Sequence, residues 1–142
     1  MDYARSFAIS AAGMNAERTR VEVASLNLAN ANTVQDPHGL GYQPLRVVTT
    51  AGAAFATRID QGLQEAALPE VTIAPTGNGP RLVHEPGHPL ADSRGFVAYA
   101  GVDPATEMVT LMSALRSYEA NVAALNTART LALKTLEIGR AA

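Results

Sequence analysis

The chain has no cysteine and no tryptophan, and only three phenylalanines and four tyrosines among its 142 residues. Without cysteine, disulfides and thiolate metal sites are excluded. Aromatics at 5% argue against a large aromatic ligand pocket. Charge of one sign is also lacking. Eleven basic and thirteen acidic residues leave a net charge of −2, so nothing electrostatic points to nucleic acid. No apolar run approaches the roughly 20 residues needed to cross a bilayer, so no direct membrane span is expected. The start, Met1-Asp2-Tyr3-Ala4-Arg5-Ser6, lacks a basic stretch followed by an apolar one, so no cleavable signal is expected. By these signs alone the chain would be placed in the cytoplasm. What it does have is 47% apolar residues, enough to argue against disorder by composition, in a length that suits one domain.

Those apolar residues form seams at the two ends. Met108, Leu111, Leu115, Tyr118, Val122, Leu125, Ala132 and Leu136 fall on alternating three- and four-residue steps, broken only by Arg129. This is a heptad stripe sustained over about four heptads, the coiled-coil signature. Asp103 suits an N-cap and Pro104 the first helical position, whose N–H would go unpaired in any case. Gly139 is the expected stop. The N-terminal seam is thinner. Phe7, Met14, Val21 and Leu28 are seven apart, while the companion row of Ala4, Ala11, Arg18 and Ser25 is small or polar. This helix should run from about residue 3 to 30 and finish in Asn27-Leu28-Ala29-Asn30-Ala31-Asn32-Thr33. Two readings of that asparagine run stand side by side. It ends a helix, or its amides make specific contacts in an assembly. Two terminal helices with one good seam between them need company, so the ends should be loose in the free chain and order on assembly.

The segment between the helices differs in character. Nine of the eleven glycines and seven of the eight prolines lie in residues 34–102. Short β-type runs at Leu45–Thr50, Glu70–Ala74, Arg81–His84 and Phe96–Ala100 are separated by turn signals at Asp36-Pro37, Gly77-Asn78-Gly79-Pro80 and Pro86-Gly87. Residues 51–67 read equally well as a surface loop or a weak strand. No internal repeat is visible. The expected fold class is α+β: long N- and C-terminal helices forming a coiled-coil-like pair, with a small, mostly antiparallel β-rich segment inserted. The expected organisation is an N-terminal helix over 1–33, the β-rich middle over 34–102 and a C-terminal helix over 103–142. The last of these carries Asp103, Glu107, Glu119 and Glu137 against Arg116, Arg129, Lys134 and Arg140. Neighbours can approach such a balanced surface without repulsion.

His84-Glu85-Pro86-Gly87-His88 matches the zinc hydrolase motif H-E-x-x-H letter for letter. That motif works because a helix turns both imidazoles toward one metal and places the Glu to activate water. Here Pro86 and Gly87 fill the middle and Pro89 follows, and proline removes the helical hydrogen bond such spacing needs. A strand followed by a turn with two solvated histidines is the better reading, and His38, between Pro37 and Gly39, reads the same way. Neither a Gly-rich phosphate loop nor a nucleophile elbow is present. No catalytic, cofactor or metal residue is therefore expected. A coiled-coil adaptor outside any filament is the remaining alternative.

Further residues carry a resemblance. Pro80-Arg81-Leu82-Val83-His84-Glu85-Pro86-Gly87-His88-Pro89 leads through Gly95-Phe96-Val97-Ala98-Tyr99 into Val102-Asp103-Pro104. Glu107-Met108-Val109, Arg116-Ser117-Tyr118-Glu119-Ala120-Asn121-Val122 and Leu125-Asn126-Thr127-Ala128 follow. At the start stand Ser10-Ala11-Ala12-Gly13-Met14, Ala16-Glu17, the asparagine run and then Tyr42. Together these resemble the FlgC family of flagellar basal-body rod proteins, the proximal-rod members of the wider rod and hook family. The asparagine run points to the wider family, and the stretch from Pro80 to Tyr99 narrows it. Residues 51–70 carry no resemblance. Before Asp103, small apolar Ala100-Gly101-Val102 stands where the family often has a polar or acidic residue.

The resemblance implies a non-enzymatic structural subunit that packs by its terminal helices into a torque-transmitting shaft. Its partners would be copies of itself, other rod proteins, and rod-junction and export-gate proteins at the base. It would reach the periplasmic rod through the flagellar type III export apparatus without a cleaved signal, which replaces the cytoplasmic assignment. The interface candidates are the apolar rows Phe7, Met14, Val21, Leu28 and Met108, Leu111, Leu115, Tyr118, Val122, Leu125, Leu136. Asn27, Asn30, Asn32, Asn121 and Asn126 are candidates to fix stagger through hydrogen bonds. Spacing alone leaves open whether the termini pair within one subunit or between subunits.

Overall fold

Low proline and abundant alanine at both ends give two long helices, and the proline-rich middle gives short strands. The computed structural model describes residues 3–36, 41–50 and 69–140. Helix α1 spans Tyr3–Ala29, strands β1 to β4 span Leu45–Thr50, Glu70–Pro75, Arg81–His84 and Phe96–Tyr99, and helix α2 spans Pro104–Arg140. The class is α+β, as the sequence implied. Residues 51–67 and His38 lie outside the described residues.

Each helix end has a local chemical cause. α1 stops in its asparagine run, where the Asn30 amide donates to the Leu26 carbonyl (2.8 Å) and Thr33 Oγ1 donates to Asn30 Oδ1 (3.2 Å). α2 starts at the expected cap. Asp103 Oδ1 accepts from the Ala105 N–H at 3.2 Å, Oδ2 accepts from the Thr106 hydroxyl, and the Glu107 N–H closes the first turn on the Asp103 carbonyl at 3.0 Å. These bonds, with that from Thr106 the largest, hold the Asp103 carboxyl below its ordinary pKa. The expected stop at Gly139 is corrected: α2 runs through it to Arg140. A terminating glycine adopts the left-handed conformation. Among the described glycines only Gly77 and Gly95 have positive φ, so Gly139 stays helical.

Two antiparallel two-stranded sheets fill the middle. In one, β1 pairs with β2, and the Thr76 N–H reaches the Pro44 carbonyl at 2.8 Å. In the other, β3 and β4 pair in the register Arg81↔Tyr99 to His84↔Phe96. The far edge of β4 is taken by the chain leaving α1: Gln35 N–H donates to Ala98 O (2.7 Å) and Ala100 N–H to Thr33 O (3.0 Å). β4 is therefore a central strand, and its Val97 is fully buried. The β3–β4 connection turns on Asp92, whose Oδ1 accepts from the N–H of both Arg94 and Phe96 at 2.8 Å. Gly95, at φ +81°, takes the left-handed step this turn needs. Just past β4, a side chain on Gly101 would collide with the carbonyl oxygen of Gly79, so the two backbones touch.

The chain divides into two compact units that share the helices. One comprises residues 20–48 and 73–112 and holds the β3–β4 sheet. Its small core is Ala31, Ala100 and Val102, with Tyr42 packed against them. The other comprises residues 1–19, 49–72 and 113–142. There α1 and α2 approach closely. A Cβ on Gly13 would stand 3.0 Å from the Asn121 amide, so a side chain there would force that amide to give way.

Candidate subunit interface and the Asn27 hub

The seams of the two helices are not buried where their largest side chains lie. Along α2, Ala114 is fully buried and Ser117, Asn121, Val122, Leu125, Ala128 and Ala132 are half-buried. The large side chains beside them point outward. Met108 is 56% exposed, Leu136 66%, and Met112, Leu115, Tyr118 and Leu133 are exposed as well. The face turned to the rest of the chain thus keeps Leu111, Val122, Leu125 and Ala132 of the expected heptad stripe and adds the small residues Ala114, Ser117 and Ala128 beside them. Of the candidates on α2, Leu111, Asn121, Val122 and Leu125 are half-buried, while Met108, Leu115, Tyr118, Asn126 and Leu136 are exposed. On α1, Phe7, Met14, Val21 and Leu28 are all half-buried, and full burial falls instead on Ala16, Val23, Ala24 and Asn27.

Asn27 is the best-connected side chain of the described residues. It is 1% exposed. Its Nδ2 donates to the Leu45 carbonyl at 2.8 Å and to Glu107 Oε1 at 3.0 Å. Its Oδ1 accepts from the Tyr42 hydroxyl at 2.7 Å and from the Leu45 N–H at 2.9 Å. An amide has two donor hydrogens and two acceptor lone pairs, and all four are used. One side chain therefore ties the end of α1 to the start of β1 and the first turns of α2. Burial, and behind it the Glu107 charge, raises the Tyr42 hydroxyl above the usual phenol range. The other asparagines do less. Asn30 bonds within its own turn, Asn32 and Asn126 are exposed, and Asn121 donates back to the Ser117 carbonyl at 3.0 Å while facing Gly13. Asn27's capacity is spent inside the chain, so none of it remains for a neighbouring subunit. Sequence reasoning marked Asn27 but missed Leu45 and Glu107, whose bonds to it span 18 and 80 residues.

Two open clefts adjoin the hub. The larger, about 370 Å³, is lined by Gln35, Tyr42, Pro44 and the Gly77–Pro80 loop, and the smaller, about 170 Å³, by Arg20, Leu45, Arg46 and Glu107 among others. The H-E-x-x-H string lies on a strand end and a turn. His84 packs edge-on against Phe96 with ring centres 5.0 Å apart, Glu85 Oε2 accepts from the Tyr99 hydroxyl at 3.0 Å, and His88 Nδ1 accepts from the Leu90 N–H at 3.1 Å. The bond to Glu85 also raises the Tyr99 hydroxyl above its ordinary value. Among the described residues no three His, Cys, Asp or Glu side chains group as metal ligands would. No helix among them is long and apolar enough to cross a membrane.

Two family models match. One, described as flagella basal body rod protein, covers residues 7–34, and the other, flagellar basal body rod FlgEFG protein C-terminal, covers residues 93–138. The chain is also similar over nearly its whole length to curated relatives called flagellar basal-body rod protein FlgC. That of Salmonella typhimurium strain LT2 is 42% identical over 134 residues, 94% of this chain and 96% of the relative. The Escherichia coli O6:H1 relative is 40% identical over the same span and shares, and that of Bacillus subtilis strain 168 is 33% identical over 145 residues, 95% and 97% of the two chains.

Proposed function

Since the chain belongs to the FlgC family of flagellar basal-body rod proteins, we propose that it builds the rod through the outward apolar face of α2. It is a structural subunit of the basal-body rod. No observation favours the adaptor or the zinc hydrolase.

In this reading the subunit sits in the proximal rod, on the periplasmic side, and transmits torque through helix contacts. It arrives through the flagellar type III export apparatus without a cleaved signal. Its neighbours are copies of itself, other rod proteins, and the junction and export-gate proteins at the base. It does no catalysis. The terminal segments 1–33 and 103–142 form the shaft-building part, and the β-rich middle contacts neighbours from outside. Phe7, Met14, Val21 and Leu28 on α1 support that packing, and Asn32 and Asn126 have free surface with which to set stagger.

The observation that carries the reading is a second apolar row on α2. Leu111, Val122 and Leu125 are half-buried, while Met108, Met112, Leu115, Leu133 and Leu136 remain exposed. A lone soluble protein rarely leaves so long an apolar stripe uncovered. Leu115→Asp tests it, because Leu115 is 45% exposed and its loss should leave the fold intact. Burying an unpaired carboxylate between subunits costs several kcal/mol. At about 1.4 kcal/mol per factor of ten, that weakens association on the order of a hundredfold or more. The expected result is an unchanged unfolding midpoint for the isolated subunit and loss of swimming in a strain carrying only the variant. Normal swimming would remove this face from the interface.

A further inference from the structure

The loop between β2 and β3, residues 76–80, holds Asn78-Gly79 at the edge of the larger cleft. Of the seven asparagines in the chain, Asn78 alone is followed by glycine. Both residues are exposed. Gly77 bends the chain ahead of them at φ +75°, and the Asn78 N–H donates to Thr76 Oγ1 at 3.3 Å. Among the described residues no hydrogen bond holds the Asn78 side-chain amide or the Gly79 N–H. A Cβ on Gly79 would meet nothing within 4 Å, so that side of the loop is open. The other side is closed, because the Gly79 carbonyl oxygen rests against Gly101, two residues ahead of the Asp103 cap. All these residues belong to the same compact unit.

We propose that Asn78-Gly79 is a self-modification site, at which the loop converts slowly to aspartate and isoaspartate, and that the isoaspartate form loosens the entrance to α2. The co-reactant is water. The Gly79 nitrogen gives up its proton and attacks the side-chain carbonyl carbon of Asn78. A C–N bond forms, the side-chain amide leaves as ammonia with that proton, and a five-membered imide remains. Water then opens the ring at either carbonyl. Cleavage at the side-chain carbonyl gives aspartate in a normal backbone. Cleavage at the main-chain carbonyl leaves Gly79 bonded through the side chain, which is isoaspartate. In sum one water is consumed and one ammonia released. The following residue must be bare because its nitrogen has to swing onto the neighbouring side chain, and glycine has the backbone freedom for that. Asn27 is buried with its amide fully bonded, and Asn15, Asn121 and Asn126 are held in helices. Asn32 is exposed like Asn78 but precedes β-branched Thr33, which makes it the internal reference.

Isoaspartate adds one bond to the main chain, about 1.5 Å of extra length. Just beyond the loop, β3 is held by its pairing of Arg81 with Tyr99, so the slack falls on Gly79. Its carbonyl is the surface against which Gly101 rests. With that support displaced, the Val102 N–H, bonded to the Ala100 carbonyl at 2.8 Å, opens more often. The chemistry at Asn78 is independent of the rod interface on α2.

Peptide mass spectrometry of the full chain, held at mildly alkaline pH, tests the site. The peptide carrying Asn78 should gain one mass unit and split into two products well before the peptide carrying Asn32 changes. Gly79→Ala, for which the loop has room, should keep the fold and slow the conversion on the order of tenfold or more, because the attacking nitrogen is then misplaced. Hydrogen exchange at Val102 should be several-fold faster in the separated isoaspartate form than in the natural chain. Asn78→Asp, which carries the charge without the extra bond, should exchange there like the natural chain. Asn78 intact after Asn32 has changed, Gly79→Ala converting as fast as the natural chain, or an isoaspartate form whose Val102 exchanges no faster than that of Asn78→Asp would each overturn the proposal.

Discussion

Replacing Asn27 with alanine should cost more stability than any other single asparagine change in this chain. The substitution strips partners from the Leu45 N–H, the Leu45 carbonyl, the Tyr42 hydroxyl and Glu107 at once. Three of these bonds join neutral groups, at about 1 kcal/mol each, and the fourth goes to a carboxylate, at about 2 kcal/mol. Water will rescue part of this where the site is not fully closed, so about 3–5 kcal/mol is expected, a large share of the roughly 5–15 kcal/mol that holds a domain together. With a urea dependence of about 1.5 kcal/mol per molar, the midpoint should fall by about 2–3 M. Tyrosine fluorescence against urea reads this directly, because the chain has no tryptophan to mask it. Asn30→Ala is the control: its amide bonds only within its own turn and its loss should cost less than about 1 kcal/mol. Equal losses for the two variants would refute the hub. Asn27→Asp sharpens the test. It sets a carboxylate oxygen where Nδ2 now lies 3.0 Å from Glu107 Oε1, so the new acid's folded pKa must rise. A raised folded pKa gives stability below the ordinary carboxylate range that is lost as pH rises through the folded value. That variant should therefore be least impaired in acid.

Two further outcomes follow from the same geometry. Tyr42 has its pKa raised by burial and then by Glu107, so its contribution is present below the ordinary phenol range and lost as pH rises through the folded value. The stability gap between the natural chain and Tyr42→Phe should narrow in strong alkali when followed by denaturant titration, and a constant gap would contradict it. Hydrogen exchange on the dilute chain should be slow at Val97 and Ala100, which are fully buried, and fast over residues 129–140, where every residue but Ala132 is exposed. Equal protection in both regions would show that α2 is self-sufficient to its end.

Features governed by neighbouring residues were legible in the sequence. Asp103 and Pro104 mark the start of α2, and β1 and β3 have the bounds their β-branched runs gave, because caps and strand propensity act over a few residues. Gly139 misled because a glycine ends a helix only if it turns left-handed, and within a helix it costs about 1 kcal/mol relative to alanine. The apolar stripe on α2 was legible, but not which edge of it meets the same chain. That edge is set by Gly13, Ala16 and Ala114, whose value is close approach rather than hydrophobicity, and a pattern search weighted by large side chains passes over them. The hub was invisible for another reason. Asn27 stands in a run of similar residues, and only the fold brings Tyr42, Leu45 and Glu107 to it.

The backbone contact between Gly79 and Gly101 makes tolerance one-sided. A side chain on Gly101 meets the Gly79 carbonyl, whereas one on Gly79 meets nothing within 4 Å. Two glycines that look alike in the sequence therefore differ in what they permit. The loop residue has room for a side chain and the residue leading into α2 does not, so the entrance to the long helix depends on a bare backbone at Gly101 resting on the Gly79 carbonyl.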